Sequence, residues 1–421
     1  MIEKKATRIT LTELYMGVIC LFPLATTLLE ESIINKLLFA VLVGLQLAMM
    51  FDRKVKGRTF LMLMLLTISY VHTYSYTKFP ISNTNLLFYF PFYLVYTYFM
   101  CDNSQSIINW LLDRKRFVYG ITVIWTMIVG FSIFLPGCYY VKEGGAKYFA
   151  SFAGSIFRLG PSAVFIQALA ILMQILYGYR KAFWLHLVPM YSYFMGSSRT
   201  YLIVGLCLLL ISWYFLLNNK KKFYYSLIPM ALAVVLLISV TSMGEKIAYT
   251  LDENLYGDFW FRITSSRSLL WELVLTRWQE MPFLRKLLGA RIDFSYAASG
   301  HWAHNDFVEL LGSFGILGIG QYLYSVYILL KAKKNQQKMP VVIGIALFMA
   351  WLFNAFFNMH YVYFCAMLCY PILVLGIKHY CVVSGTATDR NGQCKSKENE
   401  ETVVPTKGNG AVLRANYQRP F

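Results

Sequence analysis

Three side chains in this sequence have the chemistry to manage a departing anion and a migrating proton: Arg199, Arg267 and His304. A guanidinium is permanently charged and planar, so it can meet two phosphate oxygens at once. An imidazole titrates near neutral pH and can take the proton of an attacking hydroxyl. Their settings are specific. Arg199 lies in Gly196-Ser197-Ser198-Arg199-Thr200, which opens an apolar run, and Arg267 starts a helical pattern with Trp271 one turn on. His304 belongs to His304-Asn305-Asp306, directly ahead of a helix carrying Gly312, Gly315 and Gly318. Each has a structural alternative: an arginine that snorkels to lipid headgroups, or an interfacial histidine bonded to backbone.

The elements that must position them are membrane helices. Apolar runs about as long as a bilayer is thick recur from Leu14 to Ile377. With 57% hydrophobic and 14% charged residues, the 421-residue chain has too little polar surface to coat a water-soluble globule. The fold class expected is all-α, a polytopic integral membrane protein of about twelve transmembrane helices. The spans fall at 14–29, 33–51, 60–74, 86–100, 117–135, 159–177, 182–195, 201–217, 223–240, 307–330, 341–357 and 361–377. Residues 1–380 form the transmembrane domain, and 381–421, rich in Ser, Thr, Asn, Lys and Glu, is expected as a disordered cytoplasmic tail. The start MIEKKATR resembles a signal peptide but lacks a small-residue cleavage site, so it is expected as a retained first span.

The net charge of +18 does not point to nucleic acid, because the basic residues form short clusters between apolar runs rather than one patch. Those clusters alternate from loop to loop: Lys4, Lys5 and Arg8; Arg53 to Arg58; Arg114 to Arg116; Arg180 and Lys181; Lys220 to Lys222; Lys331 to Lys338. The positive-inside rule puts all of them, and both termini, in the cytoplasm. The long segment 241–303 then lies outside. Within it Ser265 to Glu280 is expected as an amphipathic helix, its apolar side formed by Leu270, Trp271, Leu273, Val274 and Trp278, with the Arg267 guanidinium able to lie over the Trp271 indole. Ser295 to Gly300 is expected to be flexible, Asp306 with Glu309 to form a capping box, and the three glycines to admit another helix backbone. Eight cysteines without a CxxC indicate neither a disulfide framework nor a zinc site; Cys20, Cys207, Cys365 and Cys369 are expected as small core residues.

The order Gly196 to Thr200, then Arg267 with Trp271, then His304-Asn305 and the glycine-spaced helix resembles the O-antigen ligase and polymerase superfamily, over roughly Gly196 to Gly320. The sequence departs from that pattern after the loop helix, where Gly289-Ala290-Arg291 stands in place of a Gly-x-Gly turn. The resemblance implies a GT-C-like membrane glycosyltransferase of the bacterial cytoplasmic (inner) membrane. Such an enzyme takes glycan from an undecaprenyl-diphosphate carrier and joins it to an acceptor glycan hydroxyl on the outer face, for O-antigen, capsule or exopolysaccharide. The donor is already activated, so no nucleotide site or cofactor is called for. Arg199 and Arg267 are assigned to the diphosphate, with Arg158, Arg262 and Arg291 in reserve, and His304 to the acceptor proton. Asn305 would orient the histidine or a sugar, and Trp302 would stack on one. Membrane lipid is an implied partner, as are a chain-length regulator and a flippase. A ligase acting on a lipid A core is the alternative reading. A flippase or other transporter fits less well, since no internal repeat is evident and the polar residues crowd one outer surface. A non-catalytic scaffold leaves the arginines and the histidine unexplained.

Overall fold

Helix is the form an apolar run adopts where no water can satisfy its backbone, and 84% of the described residues are helical. The computed structural model describes residues 10–29, 33–52, 56–77, 86–141, 147–217, 219–252, 259–331 and 339–398. Among the basic residues expected to set topology, Lys4, Lys5, Arg8, Arg53, Lys54, Lys333, Lys334 and Lys338 lie outside the described residues.

In chain order the helices are α1 (Leu11–Leu28), α2 (Ile33–Asp52), α3 (Gly57–Tyr76), α4 (Leu86–Asp102), α5 (Ser104–Asp113) and α6 (Lys115–Ser132). A small antiparallel hairpin follows, β1 (Tyr139–Val141) on β2 (Lys147–Phe149), with Tyr140 opposite Tyr148. Then come α7 (Ile156–Tyr177), α8 (Leu187–Met195), α9 (Arg199–Leu217) and α10 (Lys220–Ser239). The segment 241–303, expected as a loop holding one helix, carries five: α11 (Ser242–Leu251), α12 (Phe259–Ile263), α13 (Arg267–Gln279), α14 (Phe283–Leu288) and α15 (Phe294–Ser299). The chain closes with α16 (Asp306–Leu330), α17 (Val341–Asn358) and α18 (Phe364–Glu398).

This is an all-α membrane protein in which seven helices are long and apolar enough to cross a bilayer: α1, α7, α9, α10, α16, α17 and α18 as far as Val383. Each of the other five expected spans also falls on helix, but α4 has 17 residues and the stretch expected at 182–195 is a seven-residue 3-10 turn followed by the nine residues of α8. Nine α-helical residues rise only about 14 Å. α18 keeps helical backbone through Glu398. A helix satisfies its own backbone without tertiary partners, and between Pro371 and Pro405 no proline ends it.

α7 is the centre of the bundle, with 94% of its most apolar stretch buried, whereas α10 has 6% and turns Ile228, Leu232 and Val235 outward. Such a helix is stable only where the surrounding medium is itself apolar. Cys20, Cys365 and Cys369 are buried core residues as expected, and Cys207 is partly buried.

α16 is broken at Gly315, whose φ of 67° and ψ of −166° leave the helical region. What approaches there is the backbone at the end of α14. A β-carbon at Gly315 would meet the Leu287 carbonyl oxygen at 2.5 Å, and one at Gly289 would meet that of Ser313 at 2.1 Å, so the bend after α14 is wedged into the break. Gly312, likewise, faces the ring of Phe294 on α15. Three carbonyls at the break find partners outside the helix. Ala290 N–H donates to the Gly312 carbonyl (2.9 Å), Thr73 Oγ1 to Ser313 (2.9 Å) and Ser69 Oγ to Phe314 (3.3 Å). The hydroxyls that lower the hydropathy of α3 therefore cap backbone that would otherwise be stranded in an apolar core.

Candidate active site

The N-termini of α7, α9, α16 and α18 and the C-termini of α1 and α17 meet at one end of the bundle. Thr26, near the end of α1, touches Cys365 at the start of α18 (3.4 Å), and so does Ser162 near the start of α7 (3.6 Å). The three residues proposed for chemistry lie at this end.

Arg199 is the first residue of α9. Its guanidinium donates to Thr250 Oγ1 on α11 (2.9 Å) and to Ser265 Oγ (2.6 Å). Arg267, at the head of α13, donates to the Phe357 carbonyl at the end of α17. The two guanidinium groups are close enough to repel each other. Neither has a carboxylate partner among the described residues, and hydroxyl and carbonyl oxygens leave the positive charge uncancelled. Burial holds the Arg267 pKa below the usual guanidinium value, yet the group stays charged. It does not lie over Trp271. That indole donates to the Ala303 carbonyl (2.6 Å) and packs edge-on against Phe356.

The Trp271 bond explains how His304 is placed. The Ala303 peptide is gripped on both sides, its carbonyl by Trp271 and its N–H by Glu309 Oε1 (2.6 Å). His304 follows in a left-handed conformation with φ of 51°, one that residues with a β-carbon adopt only when held. Because Arg267 and Trp271 are four residues apart on α13, the face that carries the guanidinium also locks the histidine loop. His304 feels the charge of Arg267, and its imidazole has no hydrogen-bond partner among the described residues. Desolvation first, then Arg267 and His301, lower its pKa to about 4, so at neutral pH it is an uncharged proton acceptor.

The other expected residues separate. Asn305, expected to orient the histidine or a sugar, is buried and caps α16, its Oδ1 accepting from the N–H groups of Phe307 (2.9 Å) and Val308 (3.2 Å). The expected capping box with Asp306 as cap does not form, because Asp306 is the first residue inside the helix and accepts from the Tyr322 hydroxyl. Glu309 is spent on the Ala303 peptide. Arg291 forms a two-point ion pair with Asp293 (2.5 and 2.6 Å), which removes its charge from use by a ligand. Arg262 donates to the carbonyl of Thr250, the residue whose hydroxyl holds Arg199, and so adjoins the cluster. Arg158 instead lines a cavity beside it, and Trp302 is partly buried with its ring 5.6 Å from that of Tyr296. Of residues 295–300, expected to be flexible, 295–299 lie in the helix α15 and Gly300 caps it, with Ser295 buried. On α13, Val274 is buried with Trp271 and Trp278 beside it, against Ala303 and Val308, while Leu273 faces outward; the apolar face is thus narrower than its composition suggests.

Two tyrosines escaped the sequence reading. Tyr201 and Tyr363 both lie close enough to Arg267 to feel its charge, and the buried Tyr201 hydroxyl has no hydrogen-bond partner among the described residues. Among 31 tyrosines nothing in spacing marks these two. Compared with known proteins, the chain matches no family model and no curated protein.

Proposed function

We propose that the protein is a membrane glycosyltransferase that moves an oligosaccharide from an undecaprenyl-diphosphate carrier to a sugar hydroxyl of an acceptor glycan, on the outer face of the bacterial cytoplasmic membrane, as a repeat-unit polymerase. One observation carries the reading: two uncompensated guanidinium groups and a neutral, unpartnered imidazole gathered at one end of an apolar bundle. Positive charge without a carboxylate beside it suits a departing diphosphate, and electrostatic stabilisation of a leaving group works best where water is excluded.

In the proposed step the acceptor oxygen attacks the anomeric carbon of the donor sugar. The bond from that carbon to the diphosphate oxygen breaks, and the bonding pair leaves with the lipid diphosphate, held by Arg199 and Arg267. The hydroxyl proton passes to His304. The serine and threonine that hold Arg199 can exchange their hydrogen bonds for phosphate oxygens, since a hydroxyl both donates and accepts.

The test is Arg199→Ala in cells that build the surface glycan. The expected outcome is protein at normal membrane levels with long chains lost and single repeat units remaining. Long chains accumulating on the carrier lipid would favour the ligase reading, and unchanged glycan would overturn the site.

A further inference from the structure

After α13 the chain descends beside α3 and climbs back. Arg285 lies over the ring of Tyr76, the last residue of α3, with its guanidinium carbon 4.3 Å from the ring centre. Further on, the Leu288 carbonyl accepts from Ser69 Oγ (2.7 Å) and Thr73 Oγ1 (3.2 Å), deeper along the same helix. By Ile292 the chain has returned, its N–H donating to Thr77 Oγ1 (3.2 Å) just past the end of α3. Ser69 stands seven residues before Tyr76, about 10 Å along the helix axis. α16 gives a second measure. It is one of the helices long and apolar enough to cross, and Gly315, which receives the bend, stands nine residues, about 14 Å, in from Asp306. Since a hydrocarbon layer is about 30 Å thick, both measures sink the tip of the bend well below the helix ends.

We infer that α14 is a re-entrant anchor: its tip is sunk between α3 and α16, and its head, Phe283 and Leu284, rests on the acyl chains of the lipid leaflet at that end of the bundle. Those two side chains are uncovered, Phe283 77% exposed and Leu284 54%. In water a six-residue helix would gain nothing from turning them outward and would scarcely hold together. Arg285 and Lys286 follow them, the first on Tyr76 and the second 5.6 Å from the ring centre of Trp278, and cations set on aromatic rings belong at the headgroup boundary. Irregular backbone at membrane depth must find its hydrogen bonds in protein, as the Leu288 carbonyl does from the two hydroxyls of α3. A second protein could also cover an apolar face, but this one is held at the depth where lipid is the surrounding medium. α13 runs into α14 through Pro282, so the helix whose head carries Arg267 is fixed at its other end by lipid and by the break in α16. None of this depends on the transfer chemistry.

The experiment is photo-crosslinking of the full chain in the cell membrane, with benzoylphenylalanine replacing one residue at a time and the adducts identified by mass spectrometry. The probe in place of Phe283, or in a second variant of Leu284, is expected to capture phospholipid acyl chains. So is the probe at Leu232, the reference position that α10 turns outward. At Glu272, exposed on α13, lipid capture is expected to be lost. Absence of lipid adducts from both α14 positions while Leu232 yields them would overturn the inference. Capture of a second protein chain in place of lipid would do the same, since the face would then be an interface. Lipid captured equally at Glu272 would also overturn it, because contact would then belong to the whole segment and not to the re-entrant turn.

Discussion

The two ends of the bundle treat their cations differently. At the end where α3 begins and α4 ends, Lys56 and Arg58 reach Asp102 (3.3 and 2.7 Å), Thr59 adds a bond to the same carboxylate, and Arg114 pairs with Glu13. At the other end Arg199 and Arg267 meet hydroxyl and carbonyl oxygens, and no carboxylate among the described residues. An ion pair settles local charge and fixes helix ends, whereas a cation held by neutral acceptors keeps its field. The first arrangement is complete in itself and the second is open to an anion.

Breaking the open end should cost most. His304→Ala is expected to lower the transfer rate by about 10²–10⁴-fold, the usual worth of a positioned proton acceptor, in an assay with lipid-linked oligosaccharide. For the wild type, the rate should hold from neutral pH down toward about 4, where His304 takes up a proton. Stability follows the same group with a defined sign. Because its pKa is depressed from 6.5 to about 4 on folding, the unfolded chain binds the proton first, so stability from this residue is full above 6.5 and lost as pH falls toward 4. An acid limb near 6.5 would contradict the buried, cation-flanked histidine.

Arg267→Ala should cost about 10²–10³-fold, and Arg267→Lys should restore little, because an ammonium cannot bond the Phe357 carbonyl and present a planar fork at once. Full activity in the lysine variant would mean that charge alone is used. Asn305→Ala tests the division between chemistry and support at this end: as a helix cap it should cost about 1 kcal/mol in thermal stability measured in detergent, with kcat and KM both nearly unchanged. A fall in kcat with stability intact would return Asn305 to the substrate. Smallest is Arg58→Ala at the paired end, where a partly exposed ion pair is worth at most about 1 kcal/mol and the transfer rate should not move. Loss of transfer there would erase the contrast between the two ends.

Much of the fold was legible because hydrophobic run length and helix are linked directly in lipid. All twelve expected spans fall on helix, seven of them in helices that meet the length and hydropathy needed to cross. The helix begun by Arg267 was legible from Pro282 behind it, but its amphipathic character was not borne out, since only Val274 is buried and Leu273 faces outward. Other features were not. Asn305 and Asp306 are adjacent and both able to cap, and only the dihedral angles distinguish them, with Asn305 extended at φ −150°. The glycines of α16 signal a close approach without naming the partner, and the partner proved to be the bend at Gly289. Leu287 and Gly315 are distant along the chain, and no local rule connects them.

By itself the sequence determined that the protein is helical and membrane-embedded, and which residue types could neutralise an anion or accept a proton, because hydropathy and side-chain chemistry belong to each residue wherever it is placed. Only the tertiary structure decided which arginines keep their charge and which give it up, since that depends on the oxygen that folding brings within about 3 Å. Arg291 finds Asp293 two residues away, while Arg199 finds Thr250 and Ser265 across the bundle end.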